Sequence, residues 1–106
     1  MYAVIFEVEP NPEDKVTYLE IAAQLRSELE AIDGFISVER FQSLNNPNKL
    51  LSLSIWRDEN AITSWREKKS HQDAQNKGRE KLFAAYRIRV AHVLRDYDLM
   101  SSPWHK

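Results

Sequence analysis

The feature that most constrains this chain is a double change of hydrophobic period within its first forty or so residues. From Glu13 onward Tyr18, Ile21, Ala22, Leu25, Leu29 and Ile32 recur at three- and four-residue steps, which places a single apolar stripe along an α-helix. The runs on either side are of another kind. Tyr2 to Val8 is rich in β-branched and aromatic residues and is closed by Pro10-Asn11-Pro12, and Phe35-Ile36-Ser37-Val38-Glu39-Arg40-Phe41 follows the helix; both read as strands. Asp33-Gly34 ends the helix, since glycine accepts the left-handed conformation that follows a last turn.

The second half repeats the scheme with a different punctuation. Asn45-Asn46-Pro47-Asn48 is a dense turn signal, and in the next run, Leu50 to Trp56, Leu51, Leu53 and Ile55 alternate with Ser52, Ser54 and Trp56, so the strands before and after the turn are expected to form an antiparallel hairpin. Asp58 is placed to cap a short helix carrying Ala61, Ile62 and Trp65. Ser70 followed by Asp73 resembles a shorter-armed capping box and is expected to open a further helical segment through about Leu82, so that two helical pieces meet near His71. Tyr86 to Tyr97 contains no breaker and is the longest strand candidate. The expected order is β-α-β-β-α-β. This is an α+β, ferredoxin-like split arrangement in which a four-stranded antiparallel sheet carries helices on one face, formed by residues 1–97 as one domain with 98–106 as a C-terminal tail.

Helices on one face leave the other bare, and the first strand offers apolar residues to both sides, Val4, Phe6 and Val8 against Ala3 and Ile5. A second copy of the same sheet is the simplest cover, because a two-fold interface needs only one self-complementary surface. A homodimer with facing sheets is therefore expected; the alternative is that the tail, with Leu99, Met100 and Trp104, folds back over its own sheet.

Composition removes several functional classes. Fifteen basic residues against sixteen acidic ones give a net charge of −1, without the positive field that non-specific nucleic-acid binding needs. The chain has no cysteine, hence no thiolate metal site or thiol nucleophile. His71, His92 and His105 are too dispersed for a metal site, and no glycine-rich phosphate loop is present. Neither a secretion signal nor a membrane span is legible, and a cytoplasmic location is expected.

Ser54-Ile55-Trp56-Arg57-Asp58-Glu59-Asn60-Ala61-Ile62-Thr63-Ser64-Trp65, followed by Ser70-His71 and Tyr86-Arg87-Ile88-Arg89-Val90, resembles the antibiotic biosynthesis monooxygenase domain family over nearly the whole chain. The resemblance implies a dimeric α+β barrel with a pocket between sheet and helices. Its quinone-forming branch implies oxidation of a small aromatic phenol or hydroquinone with O2 and with neither metal nor flavin, so no cofactor is expected; another branch degrades heme. Trp65 matches the helix tryptophan used by both. Where the heme branch has asparagine and histidine this chain has Glu7 and Gln75, and where the quinone branch has asparagine and tyrosine it has Ala61 and His71.

The candidate catalytic residues are His71 and Trp65. At the start of a helix His71 would sit at the positive end of the dipole, which favours a neutral imidazole able to act as general base toward a phenol, while Trp65 would stack on the substrate ring. A local structural role for His71 stands beside that one. Trp56, Phe6 and Arg89 are the candidate substrate-binding residues, although Trp56 also suits the core. Arg87, Arg89 and Arg95 share one side of the last expected strand, where they either pair with Glu7, Glu9 and Glu39 or present a guanidinium to a substrate carboxylate or quinone oxygen. A non-catalytic dimeric domain that binds a hydrophobic metabolite is the other reading of the same residues.

Overall fold

A computed structural model of the chain describes residues 1–75 and 79–102, with the backbone alone for 69–75, 79 and 80. Strand β1 (Tyr2–Pro10) passes through a 3-10 turn (Pro12–Asp14) into α1 (Lys15–Glu30). Strands β2 (Phe35–Gln42) and β3 (Leu50–Trp56) follow as a hairpin, then α2 (Glu59–Gln75), a second 3-10 turn (Arg79–Leu82) and β4 (Phe83–His92). The sheet order is β2-β3-β1-β4, and every neighbouring pair is antiparallel. This is the ferredoxin-like arrangement expected from the sequence, with β1 and β3 central.

Two elements differ from expectation. The helical pieces expected to meet near His71 are one continuous helix, α2, and Ser70 and Asp73 lie inside it. The stretch from Arg66 to Gln75 has no glycine or proline, and once a helix is nucleated each further residue adds a hydrogen bond at little cost, so an internal cap signal does not stop it. The last strand begins at Phe83 and ends at His92 rather than running from Tyr86 to Tyr97. Its end follows its partner: Tyr2, the first residue of β1, pairs with His92, and the Val93 N–H donates to the Met1 carbonyl at 3.0 Å. Arg95 consequently lies beyond the strand, and His92 closes it, stacked on Tyr2 with ring centroids 4.8 Å apart.

The turns are held by side chains the sequence places for that purpose. The Ser43 hydroxyl accepts from the Asn45 and Asn46 N–H groups, and Asn46 Oδ1 accepts from Asn48 N–H. Asn46 Nδ2 then donates to Glu9 and Asn48 Nδ2 to the Pro10 carbonyl, at 2.9 and 3.2 Å, which ties the hairpin tip to the end of β1. Asp58 caps α2, its carboxylate accepting from the Ala61 N–H at 2.9 Å. Arg57 bridges this cap to the end of α1, with Nη2 3.1 Å from Asp33 and Nε 2.8 Å from Asp58. Hydrogen bonds from Arg57 hold both carboxyls below the usual carboxylate range.

Gly34 stands at that junction with φ of 95°, and a Cβ there would lie 2.7 Å from the Ala61 Cβ and 3.2 Å from Arg57 Nη2. The position therefore excludes a side chain on two grounds, backbone strain and space. Gly34→Ala is expected to cost about 1–3 kcal/mol, read as a lowered urea midpoint at unchanged slope; a midpoint equal to wild type would mean that the α1–β2 corner relaxes freely.

Two groups of buried residues lie between the sheet and the helices. Leu29, Val38, Trp56 and Ala61 make one, with Tyr2, Val4, Ile32, Phe35, Ile62 and Trp65 packed around it. Val8, Tyr18 and Leu50 make the other, joined by Phe6 and Phe83. The α1 stripe expected from the sequence supplies Tyr18, Ala22 and Leu29 as its buried members. Among the described residues no helix is long and apolar enough to cross a membrane.

Candidate functional site

The two buried groups do not close on each other, and the space between them is a cavity of about 310 Å³. Strand alternation builds its floor. Val4 and Phe6 of β1 lie opposite Val90 and Ile88 of β4, and Val38 and Arg40 of β2 lie opposite Ser54 and Ser52 of β3; all eight face the helices and line the cavity. Tyr18, Ala22 and Leu25 of α1 form one wall, Ile62 and Trp65 of α2 another, and Phe83 closes one end. Its volume falls within the range of small-molecule pockets, about 300–1,000 Å³.

β3 shows why a cavity forms here at all. Its helix-facing residues are Leu50, Ser52, Ser54 and Trp56, two small side chains between two large ones, so the floor is low in the middle of the strand and filled at either end. The Trp56 indole N–H donates to the Ser54 hydroxyl at 2.8 Å, which satisfies both polar groups in a buried setting. At the other end aromatic rings meet edge to face: Phe83 stands 5.5 Å from Tyr18 and 6.1 Å from Phe6, centroid to centroid.

Of the residues proposed from the sequence, Trp56, Trp65 and Phe6 come together on this cavity. Trp56 is 1% exposed and serves the core as well as the cavity wall, whereas Trp65 is half-buried and packs against the same cluster. Arg89 does not join them. It lies opposite Ile5, on the other face of the sheet, where its Nη1 is 3.4 Å from Glu7, and Lys49 approaches the same carboxylate at 3.5 Å. Partial removal from water acts to raise the Glu7 pKa, but the two cations outweigh it and hold the carboxyl below its ordinary value. The ion-pair reading of Arg89 is the one that the geometry carries.

The imidazole of His71 lies outside the described side chains. Its backbone lies in the last turns of α2, so the premise of a helix start, with its positive dipole end, does not hold there. Six positions beyond Trp65 in a continuous helix, it is also turned by about 120° around the axis from that residue. Ala61 is 3% exposed, packs with Leu29, Val38 and Trp56, and is not among the residues lining the cavity.

Arg40 and Tyr18 also line the cavity, and neither is among the candidate site residues read from the sequence. Arg40 lines its floor, and its Nε is buried without a hydrogen-bond partner. Tyr18 lies close by on α1; burial pushes its phenol up, while attraction and a hydrogen bond from Arg40 act in the opposite direction. Arg40 shares strand parity with Val38, which identifies the covered face only once the pairing with β3 is known.

Comparison with known proteins fits this geometry. Residues 1–77 match the antibiotic biosynthesis monooxygenase family. A jasmonate monooxygenase of Pyricularia oryzae is 50% identical over 93 residues, covering 88% of this chain but only 43% of that protein, so the chain spans less than half its length. The uncharacterized protein YqjZ of Bacillus subtilis is 34% identical over 92 residues, 87% of this chain and 78% of that one. Among solved structures, Rv0793 of Mycobacterium tuberculosis superposes with a TM-score of 0.78 at 17% identity, covering 92% and 98% of the two chains, a likeness of fold. With a matching family profile over most of its length and two relatives above 30% identity, the chain belongs to the antibiotic biosynthesis monooxygenase family.

Proposed function

We propose that this chain is a monooxygenase that acts with O2 on a small, largely apolar molecule held between the sheet and the helices, as a homodimer assembled through the bare face of the sheet. The observation that carries the reading is the cavity itself, walled by Phe6, Trp56 and Trp65 and opened by the paired serines of β3. Core packing alone gives no reason to place Ser52 and Ser54 on the covered face of a central strand, since interiors are otherwise filled to crystal-like density.

The chemistry divides the candidate substrates. Oxidation of a phenol to a quinone balances without a further reductant: one oxygen atom enters the ring, the other leaves as water, and the substrate supplies all four electrons. Hydroxylation of an aliphatic C–H consumes two external electrons and two protons. The Pyricularia relative makes jasmonate the first molecule to test, and phenols and hydroquinones remain the class for which a base is enough. In that scheme Trp65 stacks on the ring and His71 is the general base, a role to be established by substitution.

The test is oxygen uptake by the purified protein with jasmonate and with a panel of hydroquinones and polycyclic phenols, each with and without an added two-electron donor, corrected for autoxidation. Uptake above background is expected, with His71→Ala lowering kcat by about 10²–10⁴-fold at unchanged helicity. Full turnover in that variant would remove His71 from the mechanism. No uptake across the panel, together with binding of the same compounds, would identify a binding domain that does not turn its ligand over.

A further inference from the structure

We infer that Arg40, assisted by Tyr18, is the anchor for a carboxylate, so that the ligand of this cavity is a small acid with an apolar body. The inference deepens the reading of the cavity as a ligand site and rests on it, but not on turnover.

Arg40 extends from β2 onto the covered face of the sheet, opposite Ser52, and lines a cavity whose other lining groups are mostly apolar. The charged residues among the lining are Arg26, Arg40 and Arg66, with no aspartate or glutamate. Arg26 is occupied at the surface by Glu30, at 3.0 Å. Among the described residues no carboxylate forms an ion pair with Arg40; the neighbour it engages is the Tyr18 phenol, which is neutral. Its Nε, in addition, has no acceptor and is buried. Guanidinium N–H groups withdrawn from water are costly unless paired, and the Nε edge of the fork is one that a carboxylate can engage with two parallel hydrogen bonds.

The rest of the cavity fixes what lies behind the acid group. From Ser52, beside Arg40, to Trp56 is four residues along β3, about 13 Å at roughly 3.3 Å per residue. Between them lie Val38 and Ser54, and Trp65 stands at the far end. An acid bound at Arg40 therefore extends its apolar part toward the two tryptophans, where burial of that part stabilises it.

Octanoate is a suitable probe and octanamide its neutral counterpart of the same shape. Titration calorimetry at neutral pH is expected to show the acid binding at least tenfold more tightly than the amide. Arg40→Gln is expected to weaken the acid by about 10- to 100-fold while leaving the amide nearly unchanged. Arg40→Lys, which keeps the charge but not the fork, should fall between, and near-wild-type circular dichroism of either variant shows that the fold survives. The comparison of acid with amide on the wild-type protein needs no variant. Equal affinity for the two, or a parallel loss of both in the variants, would overturn the assignment. Because the readout is binding, a selective Arg40-dependent site with no oxygen uptake would sink the monooxygenase reading and leave this one standing; oxygen uptake that ignores Arg40 and the ligand's charge would do the reverse.

Discussion

Replacing Trp56 by alanine is expected to lower the free energy of unfolding by about 3–5 kcal/mol, a large share of the roughly 5–15 kcal/mol by which a domain of this kind is stable. Trp56 is 1% exposed, touches both helices' contributions to the core through Leu29 and Ala61, and meets Phe35 edge to face at 5.4 Å. Its removal leaves a void that cannot collapse, because the neighbours come from β1, β2, α1 and α2 and are fixed by their own elements. A second loss is polar: the Ser54 hydroxyl, 8% exposed as a residue, loses the indole donor at 2.8 Å. Trp56→Phe separates the two, since it retains much of the volume but abolishes that hydrogen bond; it should fall between wild type and alanine, at about 1–3 kcal/mol. Urea unfolding at one fixed protein concentration measures both, the fixed concentration being needed because association adds to apparent stability. An alanine variant within 1 kcal/mol of wild type would mean that the tryptophan serves the cavity and not the core.

How much of this was legible beforehand depended on whether local pattern or register decided the question. Strand β3 was readable to the residue, from Leu50 to Trp56, because strict alternation is bounded there by an asparagine turn and the Asp58 cap. Helix α2 misled because Ser70 and Asp73 imitate a start that only the preceding turns of helix rule out. The end of β4 was not legible in its own sequence, since a strand extends only as far as its pairing with a neighbour, here β1. The candidate site shows the same limit. Alternation placed Phe6 and Arg89 each on one side of its strand, but which sides coincide is fixed by pairing, and a shift of one residue moves a side chain to the opposite face. Phe6 pairs with Ile88, so Arg89 falls with Ile5 and Glu7, away from the cavity. Arg40 was missed for a related reason: β2 has apolar residues at both parities, Phe35 and Phe41 against Ile36 and Val38, so nothing in the strand itself marks which face is covered.

The same alternation gives β3 an inverted character. Between Leu50 and Trp56 the side toward the helices carries Ser52 and Ser54, and the side away from them carries Leu51, Leu53 and Ile55. With Ala3 and Ile5 of β1, Phe41 of β2 and Ala91 of β4 sharing that outer face by register, the sheet presents an apolar surface edged by Glu7, Glu39, Arg87 and Arg89. The tail does not supply its cover among the described residues: Leu99 and Met100 are 74% and 79% exposed, held in a turn by Asp98, while Trp104 lies outside them.

If a second copy supplies the cover, Leu53→Asp should convert a dimer into a monomer. Leu53 sits mid-strand, paired with Ile5 on one side and Glu39 on the other, near the middle of the apolar surface. In a two-fold interface a substitution is made twice, so burying one unpartnered carboxylate per copy, at about 1–3 kcal/mol each at least, weakens association by about 2–6 kcal/mol, or from roughly 30-fold upward. Light scattering coupled to size exclusion at micromolar concentration is expected to give twice the chain mass for wild type and the chain mass for Leu53→Asp, at matching helical content. Val16→Asp is the control, an equal change of charge on α1 at a residue 68% exposed, and should remain dimeric. A monomeric wild type would leave the outer face of β3 without a cover and break the link between its inverted pattern and assembly. A variant that stays dimeric would move the interface off this face, and with it the reason for the leucines of β3 to point away from the helices while its serines open the cavity beneath them.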